Sequence, residues 1–133
     1  MMDAVIAAGE RLAEALSEEN EALAALDLTR AAAMATRKMQ ASDAFAAAAA
    51  AASRTNSRAE GPVRVAAERL AVSLSELGQQ NRKLLEAAIA LQSRVIETIA
   101  GAARPFASAP GYGRAGRNRP PVQAAAMALA TRA

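Results

Sequence analysis

The amino-acid sequence predicts an all-α protein: a long antiparallel helical hairpin, packed like a coiled coil and followed by a disordered C-terminal tail. Of the 133 residues, 53% are apolar, most of them alanine, and only 2% are aromatic. Alanine is the best helix former and buries little area, which favours long helices over a thick globular core. The spacing of the larger apolar residues is helical, and the prolines occur only at residue 62 and from residue 105 onward.

The first predicted helix covers residues 3 to about 52. Its larger apolar side chains recur at sums of three and four positions, which places them on one helical stripe. They are Val5, Leu12, Leu16, Leu23, Leu26, Met34 and Phe45. The alanine-rich run 44–53 is where a break is expected, if the helix has one. The neighbouring acids Glu18, Glu19 and Glu21 are predicted to form a solvated face.

Residues 53–62 (SRTNSRAEGP) predict the connection between two helices, because Ser, Thr, Asn and Gly cluster there and Pro62 follows. Ser57 with Glu60 matches a capping box, and Pro62 suits the first turn of a helix. A loop of this size makes the two flanking helices antiparallel neighbours.

The second predicted helix, residues 62–104, has a regular heptad pattern that ends near Gly101 and Pro105. Its seam positions alternate in steps of four and three. They are Val63, Ala67, Leu70, Leu74, Leu77, Asn81, Leu84, Ala88, Leu91, Val95 and Thr98. Asn81 is polar in the middle of this seam. It is either a buried residue that fixes the register or a contact point for a partner chain.

The apolar side chains of the second helix outnumber what one partner helix can cover. Together with Asn81 and Tyr112, they are the predicted partner-binding residues: Leu84, Leu85, Ile89, Leu91, Val95, Ile96 and Ile99. A short third helix, a second subunit or a client protein is expected to cover part of this surface.

The chain divides into a helical hairpin domain, residues 1–104, and a flexible basic tail, residues 105–133. Pro, Gly and Ser recur through the tail, which predicts disorder, and its last twelve residues suit a short helix that needs a surface to lie on. Residues 98–133 contain five arginines and no acidic residue, whereas residues 1–27 contain seven acidic residues and one arginine. Tyr112, the single tyrosine, is predicted either to contact a second protein or to fold back over the apolar face of the hairpin.

Several function classes are not expected. The chain has no Cys and no His, so the usual nucleophile–base pairs and zinc ligands are missing, and we expect neither an enzyme nor a cofactor. Nucleic-acid binding is not expected either, because only Tyr112 could stack among the tail arginines and the first helix is acidic. The N-terminus lacks a basic signal region and the run 44–53 is too short to span a bilayer, which predicts a cytoplasmic protein without membrane insertion.

The stretch ALSEENEALAALDLTRAAAMATRKMQASDAF resembles the opening helix of FlgN-type flagellar export chaperones. The residues that carry this resemblance are Leu16, Glu19–Asn20, Ala22–Leu23, Asp27 and Lys38. LGQQNRKLLEAAIALQSRVIETIA is similar to the later helix of that family, in which an Asn, here Asn81, is followed by apolar residues. Tyr112 and Gly116 resemble the closing Tyr-x-x-x-Gly element of the family. The resemblance covers residues 10–117, with departures at Gly78, where the family often has Asn, and at Arg82, where it has Gly.

The resemblance implies a cytoplasmic chaperone that binds hook–filament junction subunits through an amphipathic client helix. It also implies delivery of those subunits to the flagellar export gate, with Tyr112 as a docking residue. Two alternatives are a self-associating structural coiled coil and a basic-tailed nucleic-acid accessory protein. The sequence leaves monomer and homodimer open.

Overall fold

The protein is all-α, as the sequence predicts. The structure, a computed structural model, describes residues 1–103, and within this range it contains three helices and no strand. Helix α1 covers Met2–Ala24, α2 covers Leu28–Arg54 and α3 covers Gly61–Ala103. Two compact units share the chain: unit 1 is Met1–Leu84, and unit 2 begins at Leu85.

The predicted helix over residues 3–52 is wrong in one respect, because it is two helices. The break lies at residues 25–27, and the alanine-rich run is an uninterrupted part of α2. Leu26 adopts a left-handed backbone with φ of 57°. The Leu26 and Asp27 amides then donate back to the carbonyls of Leu23 at 3.0 Å and Ala22 at 2.9 Å, which is the Schellman ending of a helix.

Helix α2 begins directly after this turn because Asp27 supplies its N-cap. The Asp27 carboxylate accepts a hydrogen bond from the Arg30 amide at 3.1 Å, which satisfies a helix N-terminal donor. At the other end of α2, Asn56 repeats the left-handed ending with φ of 54°. Asparagine tolerates this conformation far better than leucine does.

Helix α3 begins at Gly61 with Pro62 in its first turn, close to the predicted residue 62. The capping box predicted from Ser57 and Glu60 is not formed, because the helix starts four positions beyond Ser57. The Ser57 hydroxyl instead pairs with the Thr55 hydroxyl at 2.9 Å.

Within unit 1 the helices run up, down and up. At one level, a Cβ added to Gly9 of α1 would lie 2.6 Å from Leu70 Cδ2 of α3 and 3.2 Å from Phe45 Cε2 of α2. At a second level, Glu19 of α1 meets α2 and α3 through hydrogen bonds. Helices α2 and α3 are therefore antiparallel, as predicted. The buried apolar residues of unit 1 are mostly alanine: Ala8, Ala15, Leu16, Ala22, Leu23, Ala31 and Ala52.

In unit 2 the structure describes the helical residues 85–103. Leu85 and Ala88 are buried there. The predictions for the tail, namely its disorder, its short C-terminal helix and the role of Tyr112, concern residues outside the described range. None of the three described helices is long and apolar enough to cross a membrane.

Candidate functional site

A buried polar cluster joins all three helices of unit 1. Its members are Glu19 and Asn20 of α1, Lys38 of α2 and Asn81 of α3, and each is at most 5% exposed. Asn81 is the polar residue of the predicted seam, and the structure places it in the interior rather than on a surface. A partner could contact Asn81 only if the cluster first opened.

Asn81 is the centre of the cluster. Its side-chain amide donates to Glu19 Oε1 at 3.0 Å and to Asn20 Oδ1 at 2.9 Å. Its carbonyl oxygen accepts from Lys38 Nζ at 3.2 Å. The Asn81 side chain therefore bonds to both other helices and uses both of its donors.

The ion pair within the cluster is buried. Lys38 Nζ lies 3.0 Å from Glu19 Oε1, and the two side chains are 6% and 1% exposed. Glu19 Oε2 is buried and has no hydrogen-bond partner among the described residues. Taking two charges out of water costs several kcal/mol for each ion, which close pairing and further hydrogen bonds must offset.

Asn20 extends the cluster toward the backbone of α3. Its amide nitrogen donates to the Leu77 carbonyl at 3.2 Å and lies 3.5 Å from Gln80 Oε1. A carbonyl within a helix already accepts one intrahelical bond, and its second lone pair accepts this one. Asn20 thus fixes the axial position of α1 along α3.

The prediction of a solvated face at Glu18, Glu19 and Glu21 is wrong for Glu19. Glu21 is exposed, and Glu18 pairs with Arg37 at the surface. Glu19 points the other way because it lies three positions after the buried Leu16, on the same helical face. The spacing from Leu16 indicates that Glu19 lies on the buried face. The neighbouring acids Glu18 and Glu21 favour a solvated face instead, which is why the sequence alone gives the wrong prediction for Glu19.

The predicted partner-binding side chains differ widely in exposure. Leu85 is buried at 5%, so it contributes to packing within the chain. Leu84, Ile89, Leu91 and Ile96 are half-buried. Val95 is 50% exposed and Ile99 is 64% exposed. These last two form the exposed apolar pair that a partner can reach without any rearrangement.

Other apolar side chains are exposed on α3 in unit 1. Val65 is 48% exposed and Val72 is 59% exposed, which is close to the exposure of Val95 and Ile99. Among residues 1–103, no group of three or more acidic residues is placed to hold a metal ion.

No family model, curated protein or solved structure matches this chain. The resemblance to FlgN-type chaperones therefore rests on residues of this sequence. Four of those residues, Glu19, Asn20, Lys38 and Asn81, are the members of the polar cluster.

Proposed function

We propose that the protein is a flagellar export chaperone of the FlgN type. In this proposal it binds hook–filament junction subunits in the cytoplasm through an amphipathic client helix and delivers them to the export gate. The second half of α3 receives the client helix, and Tyr112 docks on the gate.

The observation that supports this proposal is the convergence of residues that the resemblance selects. Glu19 and Asn81 are 62 positions apart, and Lys38 and Asn81 are 43 positions apart, yet they bond to one another. A chance match in an alanine-rich chain gives no reason for the matched residues to meet. If this chain and the family need the same contacts between helices, the matched residues are expected to meet.

The exposed apolar pair supports the position of the client site. Val95 and Ile99 are four positions apart on α3, so they lie on the same helical face. An amphipathic client helix would cover such a face with anchors at the same spacing. Each fully buried aliphatic side chain contributes roughly 1.5–3 kcal/mol, so two of them form a useful anchor.

Binding of purified junction subunits from the source genome tests the proposal directly. Isothermal titration with the wild-type chain should give a discrete 1:1 complex. The double variant Val95→Asp with Ile99→Asp should weaken binding at least about tenfold, since each 1.4 kcal/mol lost is a factor of ten. A double variant Val65→Asp with Val72→Asp is the matched control, because it places the same charges at similarly exposed sites on the same helix.

Tyr112→Ala separates delivery from client binding. We expect this variant to bind junction subunits as the wild type does and to lose capture of export-gate components from lysate. No detectable binding of any junction subunit by the wild type would contradict the proposal. Recovery of only the protein itself would favour the self-associating coiled coil.

A further inference from the structure

We infer that the polar cluster fixes the register of α3 against α1 and α2 and thereby holds the protein in a single-chain arrangement. The arrangement that it excludes is one in which α3 of one copy pairs with α3 of a second copy. This role concerns the folding of the chain itself and does not depend on any client.

The heptad seam of α3 needs a residue that fixes which helix it pairs with and in which register. Its apolar positions recur in heptads from Val63 to Val95, which is the pattern of a coiled coil that pairs with itself. A shift of one heptad brings apolar residues opposite apolar residues again. In such seams a single polar residue at an inner position specifies both the register and the number of helices, and Asn81 occupies that place.

The apolar core of unit 1 distinguishes poorly between registers. Its buried residues are mostly alanine, and one alanine is sterically equivalent to another after a slip. The largest fully buried side chains among the described residues are Glu19 and Asn81, and both are polar. Hydrogen bonds rather than interlocking apolar side chains therefore carry much of the information about alignment.

The bonds of the cluster can be satisfied only in one arrangement. Asn81 needs Glu19 and Asn20 from α1 and Lys38 from α2 at the same level. In a parallel α3–α3 pair in register, Asn81 would meet only Asn81 of the second copy, and in a shifted register it would meet apolar side chains of the seam. Asn81, Glu19 and Lys38 would then lose hydrogen bonds inside the protein, and unpaired buried polar groups are costly.

An apolar replacement of the cluster tests this inference. The variant combines Glu19→Leu, Asn20→Leu, Lys38→Met and Asn81→Leu in the full chain, with Val72→Leu as a surface control. We expect its thermal midpoint to equal or exceed that of the wild type, since apolar residues of similar volume often replace buried ion pairs without loss. We also expect it to self-associate at least tenfold more tightly than the wild type by analytical ultracentrifugation.

Two further readouts identify the change of arrangement. When two differently tagged preparations of the variant are mixed, unfolded and refolded together, the two tags should co-purify. Wild-type preparations treated in the same way should not co-purify. The amide NMR spectrum of the variant should show more than one peak for many residues. A variant that sediments as one chain with one sharp set of peaks would overturn the inference, and so would a self-associated wild type.

Asn81→Leu alone provides a second test in case the fourfold variant does not fold. It keeps the Glu19–Lys38 pair and removes the bonds that α3 makes through Asn81. We expect tagged copies of this variant to co-purify as well. If they remain separate while the chain is helical, the cluster does not control the arrangement.

Discussion

Removing the ammonium group of Lys38 should destabilise the protein more than any surface charge change. Lys38→Met keeps most of the side-chain volume and removes the donor that reaches Glu19 Oε1 and Asn81 Oδ1. The Glu19 carboxylate then stays buried with the Asn81 amide as its remaining donor. The perturbation is therefore an uncompensated buried charge rather than a cavity.

The expected cost is about 3–5 kcal/mol, the range found when one partner of a buried ion pair is removed. This is a large share of the roughly 5–15 kcal/mol that stabilises a typical domain. Arg37 gives a matched comparison one residue earlier on the same helix. Its pairs with Glu14 and Glu18 are at the surface, and the Arg37 side chain is 51% exposed. Arg37→Met should therefore cost at most about 1 kcal/mol.

Urea unfolding of the full chain, followed by circular dichroism, measures both variants. With a slope of about 1–3 kcal/mol per molar, the midpoint of Lys38→Met should fall by at least about 1 M. The midpoint of Arg37→Met should move much less. If Lys38→Met unfolds within the range of Arg37→Met, the buried pair does not contribute as the geometry indicates, and the reasoning about the cluster fails.

Two further predictions concern the backbone, and urea unfolding checks both. Gly78→Ala should stabilise the protein by about 1 kcal/mol, because an added Cβ meets nothing within 4 Å and alanine favours the helix. Gly9→Ala should not show this gain in stability, because the added Cβ would overlap Leu70. Equal gains in stability at Gly78 and Gly9 would contradict the close approach of α1 and α3. Leu26→Gly should stabilise the protein by about 1 kcal/mol, because Leu26 adopts a left-handed backbone with φ of 57° and its side chain is 64% exposed. A loss of stability would show that the Leu26 side chain contributes more packing than its exposure indicates.

The sequence predicts the helical class and the start of α3 well, because heptad spacing and Gly61–Pro62 are local signals. It does not predict the turn at Leu26. Most helices that end in a left-handed residue use glycine there, and a leucine at this position gives no sign of the break. Asp27 is the residue that could have indicated it, since aspartate directly before an apolar residue favours an N-cap.

The polar cluster could be predicted only in part. Asn81 stands out because it interrupts a regular apolar seam. Lys38 does not stand out, because its partners Glu19 and Asn81 are 19 and 43 positions away and a helical lysine is usually solvated. Sequence periodicity reports which face of one helix is apolar, but it does not report which polar residues on separate helices meet.

Two contacts of different kinds define the alignment of unit 1. One is steric: Gly9 leaves room for Leu70 and Phe45 where three helices approach closely. The other is the polar cluster, eleven residues further along α3 at Asn81 and seven residues earlier along α2 at Lys38. A slip of α1 by one heptad would place Met2 or Leu16 where Gly9 is needed, and a slip of any of the three helices would break bonds of Asn81. An alanine-rich core cannot supply this discrimination, so the two contacts together give a low-complexity sequence a single arrangement of its helices.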